Sequence, residues 1–482
     1  MPVRALSIHA HFYQPPREDP LTGIIPNEKG ASPYSNWNEK IHAECYKPNA
    51  ELRNFEQISF NIGPTLFSWM HSHDPTTTSH IIAQDKYNVQ RHGVGNAMAQ
   101  AYNHTILPLA SRNDKITQAY WGIADFQHHF GRRPQGMWLP ETAIDHETLE
   151  VISQLGIEFT ILAPWQARAA SIDSTEPYLV NLSHNKQISV FFYHQELSAQ
   201  VSFQPESTIN ADHFAQYNLQ TKFQDNKTNR DEPQLILVAS DGELYGHHQD
   251  LRHYFLARLV DGASNSLGIR PTYPALWLKM YPPQQSIEIV DQTSWSCHHG
   301  VRRWIGQCAC TPDNGEWKAQ MRLGFDCLSN ELDRLYYDFA SRLFPDPWEL
   351  RNRYIHVLLS EMSLETLTNQ LSIVPLTSDQ FRRIHLLLEA QRERQRMFTS
   401  CGWFFDDFDR IEPKNNVAYA AQAVWLARLA TGVDLESDTI PYLTRVKSSH
   451  SRISADKIFQ NHLRRAEGVN RSIVDGKIGF SA

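Results

Sequence analysis

Three clusters of chemically capable side chains follow apolar runs in this chain. His9-Ala-His11-Phe-Tyr-Gln14-Pro-Pro-Arg17 follows Val3–Ile8, Trp138-Leu-Pro-Glu141 closes a run from Gly136, and Ser240-Asp241-Gly-Glu243-Leu-Tyr-Gly-His247-His248 follows Leu235–Ala239. Two carboxylates, Glu141 and Asp241, facing each other across a cleft are the minimal equipment for glycoside hydrolysis. Each also has a plain structural reading. Glu141 suits the first turn of a helix beginning near 146, and Ser240-Asp241-Gly242 suits a strand-to-helix turn. Glu243 falls two residues beyond Asp241, on the same face if the strand continues, and is the rival acid. His9 and His11 stand at i, i+2 on a strand and share one face. With His247, His248 or Asp241 they can make a metal site, or they can hydrogen-bond sugar hydroxyls. Cys297, Cys308 and Cys310 lie around His298-His299 at spacings that match no zinc-finger pattern, so no metal site is expected there.

These residues need elements to hold them. Short strands are expected at Val3–His9, Ile58–Ile62, Gly136–Leu139, Phe159–Leu162, Ile188–Tyr193 and Leu235–Ala239, each bounded by Gly, Pro, Asn or Asp. Helices are expected at about 84–101, 113–130, 146–155 and 248–262, the last with Leu251, Phe255, Leu256, Leu259 and Val260 on one stripe. Such alternation implies parallel β/α units, as a barrel or an open doubly wound sheet, with sites at the C-terminal strand ends. Beyond about 320 the pattern becomes helical, over 321–343, 346–359 and 379–398, with Pro345, Pro347 and Pro375 as punctuation. The fold class is therefore α/β, with a barrel over 1–275 and a C-terminal helical bundle within 276–482. The run Gln391-Arg-Glu-Arg-Gln-Arg-Met397 reads as a solvated helix face, and 220–233 as a polar surface loop.

Composition narrows the function class. The 482 residues carry 45 Lys+Arg against 53 Asp+Glu, a net charge of −8, which disfavours a nucleic-acid groove because phosphate binding needs a basic excess. No apolar run reaches the roughly 18 residues a membrane span requires. The stretch MPVRALSIHAHFYQPP has too short an apolar segment for a secretory signal. Six cysteines without framework spacing fit a reducing compartment, so a cytoplasmic protein is expected. Aromatics at 11% suit a core that also stacks flat, weakly polar ligands such as sugar rings.

The motifs together resemble glycoside hydrolase family 57, retaining enzymes that act on α-glucans from an incomplete (β/α)7 barrel related to that of carbohydrate deacetylases. Five short regions carry the resemblance. His9-Ala-His11-Phe-Tyr-Gln14-Pro15 is similar to the first, usually His-x-His-Gln-Pro, with two extra residues before the Gln. Gly95-Asn-Ala-Met-Ala-Gln100-Ala-Tyr-Asn103-His104 looks like the second, whose His lines the sugar subsite. Trp138-Leu-Pro-Glu141 is like the third, which makes Glu141 the nucleophile. Ser240-Asp241-Gly-Glu243-Leu-Tyr-Gly246-His247 is like the fourth, by which Asp241 is the general acid/base. Trp295-Ser-Cys-His298-His299-Gly300-Val-Arg-Arg-Trp304 is similar to the fifth, on or near the helical region that helps close the cleft. The resemblance runs over roughly residues 3–310. Residues 350–425, with Thr399-Ser-Cys-Gly-Trp403, look like an extra C-terminal region of an uncharacterised branch, where it usually runs longer.

What the resemblance implies is a glycosidase or glucanotransferase on α-1,4-linked glucose polymers or maltooligosaccharides. It needs no cofactor and no metal; no nucleic-acid or membrane partner is expected, and the oligomeric state is left open. Glu141 and Asp241 are expected about 5–5.5 Å apart, as retention requires, against roughly 6.5–9.5 Å for inversion. His9, His11, Gln14, His104, Trp138, Glu243, His247, Trp295, His299 and Trp304 are expected to bind substrate, with His11, His104, Trp138, Trp295, His299 and Trp304 lining one cleft. The alternatives are a metal-dependent deacetylase or mannosidase-like enzyme on a related barrel, in which Asp241 is an ionised ligand beside histidines, and a glucan-binding protein without catalysis.

Overall fold

The computed structural model describes residues 3–311 and 314–474. They divide into two compact units, residues 3–16 with 27–296, and residues 17–26 with 297–311 and 314–474.

The first unit is built on nine strands among the described residues: β1 Arg4–Phe12, β2 Ser59–Ile62, β3 Ala99–Gln100, β4 Met137–Trp138, β5 Phe159–Leu162, β6 Tyr178–Asn181, β7 Gln187–Phe192, β8 Gln234–Asp241 and β9 Ile269–Pro271. Parallel ladders join β8 to β1, β1 to β2, β3 to β4 and β5 to β7. Single parallel bridges, Phe60 to Ala97 and Gly136 to Phe159, link these pairs into one curved path of seven parallel strands. Strand β6 runs antiparallel on β7, and β9 adds a short parallel rung at Arg4–Leu6. No ladder joins β7 to β8 among the described residues, where the His194 N–H reaches the Leu237 carbonyl at 2.6 Å. The barrel is incomplete.

Alternation along each strand sorts the side chains. Leu6, Ile8, Ala10 and Phe12 pack outward with the helices. Ala5 packs inward with Trp138, Phe159, Ile161, Phe191, Leu235, Leu237 and Ala239. A period of two then places Ser7, His9 and His11 on the inner row of β1, and Asp241 at the end of the inner row of β8. Helices start where side chains cap them: Asp74 for Pro75–His92, Ser111 for Arg112–Phe130 and Asp145 for His146–Gln154.

Several expectations shift. The helix expected at 84–101 ends at His92, because Gly93 takes a left-handed φ of 77° and the Asn96 and Ala97 amides turn back to Asp85 Oδ1. The helix expected at 248–262 begins at Arg252 and widens at Leu259–Ala263. The polar loop at 220–233 contains a short helix, Asp225–Asn229. The boundary drawn at 275/276 falls inside the first unit, because bridges Leu179 to Ser286, Ala167 to Ile289 and Ile144 to Thr293 tie the next stretch to it.

The second unit is helical: Glu316–Ala340, Pro347–Arg353, Ile355–Leu358, Leu364–Leu371, Ser378–Arg396, Cys401–Phe404, Ile411–Thr431, Glu436–Leu443 and Ala455–Val474. The Ile411–Thr431 helix escapes periodicity because it is apolar nearly all round, with Val417, Tyr419, Ala420, Ala421, Ala423, Val424 and Ala427 buried. The charge run is a correction. Gln391, Glu393, Arg394, Gln395 and Arg396 are buried, since Ser378–Arg396 is covered by Ile411–Thr431 and Glu316–Ala340. Their charges are paired inside the unit, Arg394 with Asp333 at 2.6 Å and Arg396 with Glu18 at 2.7 Å. No helix among the described residues is long and apolar enough to cross a membrane.

Candidate active site

Parallel register sets the level of the site. His11 is the ladder partner of Asn61 on one side and of Asp241 on the other, so three polar side chains stand in one row at the C-terminal ends of β2, β1 and β8. Gln100 and Trp138 are likewise partners on β3 and β4. Asn61 Nδ2 donates to Gln100 Oε1 at 2.7 Å and lies 2.9 Å from His11 Nδ1. If His11 Nδ1 accepts there, its Nε2 carries the proton and points at His104 Nε2, 3.2 Å away. His9 faces Ser59 Oγ at 2.8 Å and Asn61 Oδ1 at 3.1 Å. Burial pushes His9 and His11 down to about 3 and His104 well below the usual imidazole range, so the three rings are neutral at physiological pH.

The rings form a continuous stack. Trp138 lies 4.6 Å from His9 and 5.1 Å from His11, and Tyr13 lies flat on His104 at 3.8 Å. Trp295 meets Trp138 edge-on at 5.0 Å. Trp138 and His9 have no exposed surface, so they hold the rings above them rather than meeting a sugar face.

Glu141 sits in a turn of unusual backbone. Its φ is 58° and that of Thr142 is 48°, a left-handed pair without glycine. Such strain persists only where neighbours over-determine it. Here the Glu141 carbonyl accepts from the Trp295 N–H at 3.0 Å, and the Thr142 N–H donates to Leu139. Gln166, wholly buried, accepts from Thr142 Oγ1 at 2.9 Å and donates to the Thr142 carbonyl at 2.8 Å. The Glu141 carboxylate is held as firmly. Oε2 accepts the Trp295 indole N–H at 3.0 Å and the Ser296 hydroxyl at 2.5 Å.

Asp241 is reached by solvent but surrounded by protein at longer range. That burial and the Glu141 charge push its carboxyl up from 3.8 to about 7. Glu243 is buried, and burial with the Asp241 charge raises it to about 8 against the pull of its hydrogen-bond donors. Its Oε1 accepts the Tyr46 hydroxyl at 2.7 Å and the Tyr13 N–H at 3.0 Å. Two carboxyls raised in one site, beside a third held by fixed donors, can pass a proton in and hold a charge.

The expected residues separate. His9, His11, His104, Trp138, Trp295, Glu141, Asp241 and Glu243 come together in the first unit. Gln14 is half-buried just after β1. His247 Nδ1 lies 2.6 Å from Glu44 Oε2, which orients the ring. Trp304 is a correction: its indole is fully buried within the second unit, with no face left for a sugar. His299 belongs to the second unit too, its Nδ1 turned to the Cys308 and Cys310 sulfurs at 3.4 and 3.3 Å rather than to a sugar hydroxyl. Sequence reasoning missed Ser296, Asn61, Gln100, Tyr46 and Gln166. Asn61 and Gln100 were legible as polar residues inside apolar runs; Tyr46 and Gln166 gave no signal.

A match to the model of glycosyl hydrolase family 57 covers residues 11–285, and one to a domain of unknown function, DUF3536, covers residues 314–474. A 1,4-alpha-glucan branching enzyme of Thermococcus kodakarensis is 39% identical over 56 residues, 11% of this chain and 8% of that enzyme. The fold is similar to that of an exo-type maltose-forming amylase from Pyrococcus sp. ST04, at TM-score 0.74 and 14% identity over 98% of this chain and 94% of that one. It is also similar to a branching enzyme from Pyrococcus horikoshii, at TM-score 0.63 and 14% identity over 95% and 97%. With more than half of its length inside the first of those two matches, and a barrel that carries its polar row at the strand ends, the chain belongs to glycosyl hydrolase family 57.

Proposed function

We propose that this enzyme cleaves or transfers α-glucosidic bonds of α-1,4-linked glucans with retention, using Glu141 as nucleophile and Asp241 as acid and then base. The observation that carries the reading is the asymmetry of the two carboxyls. Asp241, raised to about 7 by burial and by the Glu141 charge, keeps its proton in a substantial fraction of molecules at neutral pH. Glu141 accepts from the Trp295 indole N–H and the Ser296 hydroxyl, donors that favour the charged form of a carboxylate. In the first step Asp241 protonates the leaving glycosidic oxygen while Glu141 attacks the anomeric carbon. The C–O bond to the leaving sugar breaks as the ester to Glu141 forms. Asp241, now ionised, takes a proton from water or from a sugar hydroxyl, and that oxygen displaces Glu141. Water gives hydrolysis; a sugar hydroxyl gives transfer or branching.

His11 and His104, neutral and hydrogen-bonded to each other, suit sugar hydroxyls, and Trp295 offers a partly exposed ring face. The choice of α-glucan is supported by the family and by the activities of the similar proteins. Six cysteines, none of them paired in a disulfide, fit a reducing, cytoplasmic setting. The test is incubation with maltooligosaccharides and amylose, with products resolved by size, linkage and anomeric configuration. The expected products are α-anomers whose formation Glu141→Gln abolishes. Asp241→Asn should slow natural glucans severely and spare substrates with a good leaving group. Inverted products, or full activity of Glu141→Gln, would overturn the assignment.

A further inference from the structure

Within the second unit, four side chains that the glycosidase reading does not use converge on one point. Cys297, His299, Cys308 and Cys310 each offer a donor atom, and these donors all lie within 4.8 Å of one another. The Cys297 sulfur is 3.5 Å from Cys308 and 3.7 Å from Cys310; the His299 Nδ1 is 3.3 Å from Cys310 and 3.4 Å from Cys308. A zinc ion with Zn–S of about 2.3 Å and Zn–N of about 2.0–2.1 Å sets tetrahedral ligand edges of about 3.5–3.8 Å. The four quoted separations, 3.3–3.7 Å, lie close to those edges, and all six donor pairs stay within 4.8 Å. A disulfide accounts for them poorly, since one pair would have to close to about 2.0 Å and leave the third sulfur and the imidazole without a role.

We propose that Cys297, His299, Cys308 and Cys310 bind one structural Zn2+. The three thiols lose their protons to solvent as the Zn–S bonds form, and neutral His299 gives its Nδ1 lone pair. Three thiolates with one imidazole select zinc among the common divalent ions, and four protein ligands leave no open position for catalysis. The surroundings fit the charge. Three thiolates outweigh the dication by one; the buried Lys318 amine, without a hydrogen-bond partner and pushed down to about 8 by burial and Arg303, is pulled the other way by Asp406, Cys308 and Cys297.

The segment also needs a staple. Between Cys297 and Cys310 its regular structure is the single turn Arg302–Trp304, which rests on the Glu316–Ala340 helix through Arg322 Nε donating to the Trp304 carbonyl at 3.0 Å. Metal binding to such a segment becomes folding free energy.

The test uses the full chain purified under reducing conditions. Elemental analysis should find close to one zinc per chain, released by an organomercurial thiol reagent. Cys310→Ser should lose that zinc, whereas Cys327→Ser, outside the cluster, should keep it. Should Cys310→Ser fail to fold, the wild-type chain reconstituted with CoCl2 decides: the visible spectrum of tetrahedral thiolate-bound cobalt supports the site. X-ray absorption of the zinc form should show about three sulfurs and one nitrogen. A chain that carries no zinc and takes up neither ZnCl2 nor CoCl2 under reducing conditions would overturn the proposal. So would a Cys297–Cys308 disulfide found by mass spectrometry in the reduced, active enzyme.

Discussion

The indole N–H of Trp295 donates to the Glu141 carboxylate at 3.0 Å, joining residues 154 positions apart. The Ser296 hydroxyl falls on the same oxygen, and the Trp295 amide holds the Glu141 carbonyl. One dipeptide thus fixes both the backbone and the carboxylate of the proposed nucleophile. Its left-handed φ of 58° is affordable because these contacts leave the turn no other conformation.

Removing the Ser296 hydroxyl should therefore act on the chemical step. A hydrogen bond to a charged group is worth about 1.5–3 kcal/mol. Ser296→Ala should lower kcat roughly tenfold to a hundredfold with little change in KM and an unchanged circular dichroism spectrum. An unaltered kcat would show that the Glu141 orientation does not depend on this donor.

The acid should show itself in the pH profile. Asp241 is protonated below about 7 and ionised above it, so kcat/KM on natural glucans should fall as pH rises through about 7. Glu243→Gln should keep that limb, and Asp241→Asn should lose it. A limb that survives in Asp241→Asn assigns the proton elsewhere.

The same shift has a sign for stability. Asp241 titrates at about 7 in the folded chain against 3.8 for the ordinary group, so the folded state retains a proton that the unfolded chain gives up. Stability contributed by the neutral form is complete at low pH and is lost as pH rises through about 7. Asp241→Asn should then raise Tm over wild type more at about pH 8 than at about pH 5. Equal increments at both values would separate the group from the pH dependence.

Buried charge in the second unit predicts a large loss elsewhere. Asp333 accepts from Arg394 at 2.6 Å and from Gln391 at 3.0 Å, and Arg351 lies 3.7 Å away. Asp333→Ala removes the carboxylate that the buried Arg394 and Arg351 guanidiniums share. Because the Asp333 side chain is itself one-fifth exposed, the cost should be about 3 kcal/mol, at the low end for a broken buried pair. The midpoint of urea unfolding measures it.

The part of this protein legible in its sequence is the part governed by local period. In parallel strands every second residue faces one way, so the apolar rows of β1, β4 and β8 already carried His9, His11, Trp138 and Asp241 to strand ends and inner faces. A helix with one apolar stripe, such as His146–Gln154, was legible for the same reason. What tertiary structure alone decided depends on which distant surface covers a residue. The Gln391–Arg396 charges read as solvated until two helices packed over them and Asp333 and Glu18 supplied partners. Ile411–Thr431 lost its period because neighbours bury it nearly all round. Ser296, Gln166 and Tyr46 carry no pattern; each matters for the single carboxylate or turn the chain brings to it. The Cys-x-His and Cys-x-Cys pairs fit no zinc-finger spacing; the loop between them brings their donors within 4.8 Å of one another only in the folded chain. Burial and coordination are properties of the enclosure, and a chain acquires its enclosure only on folding.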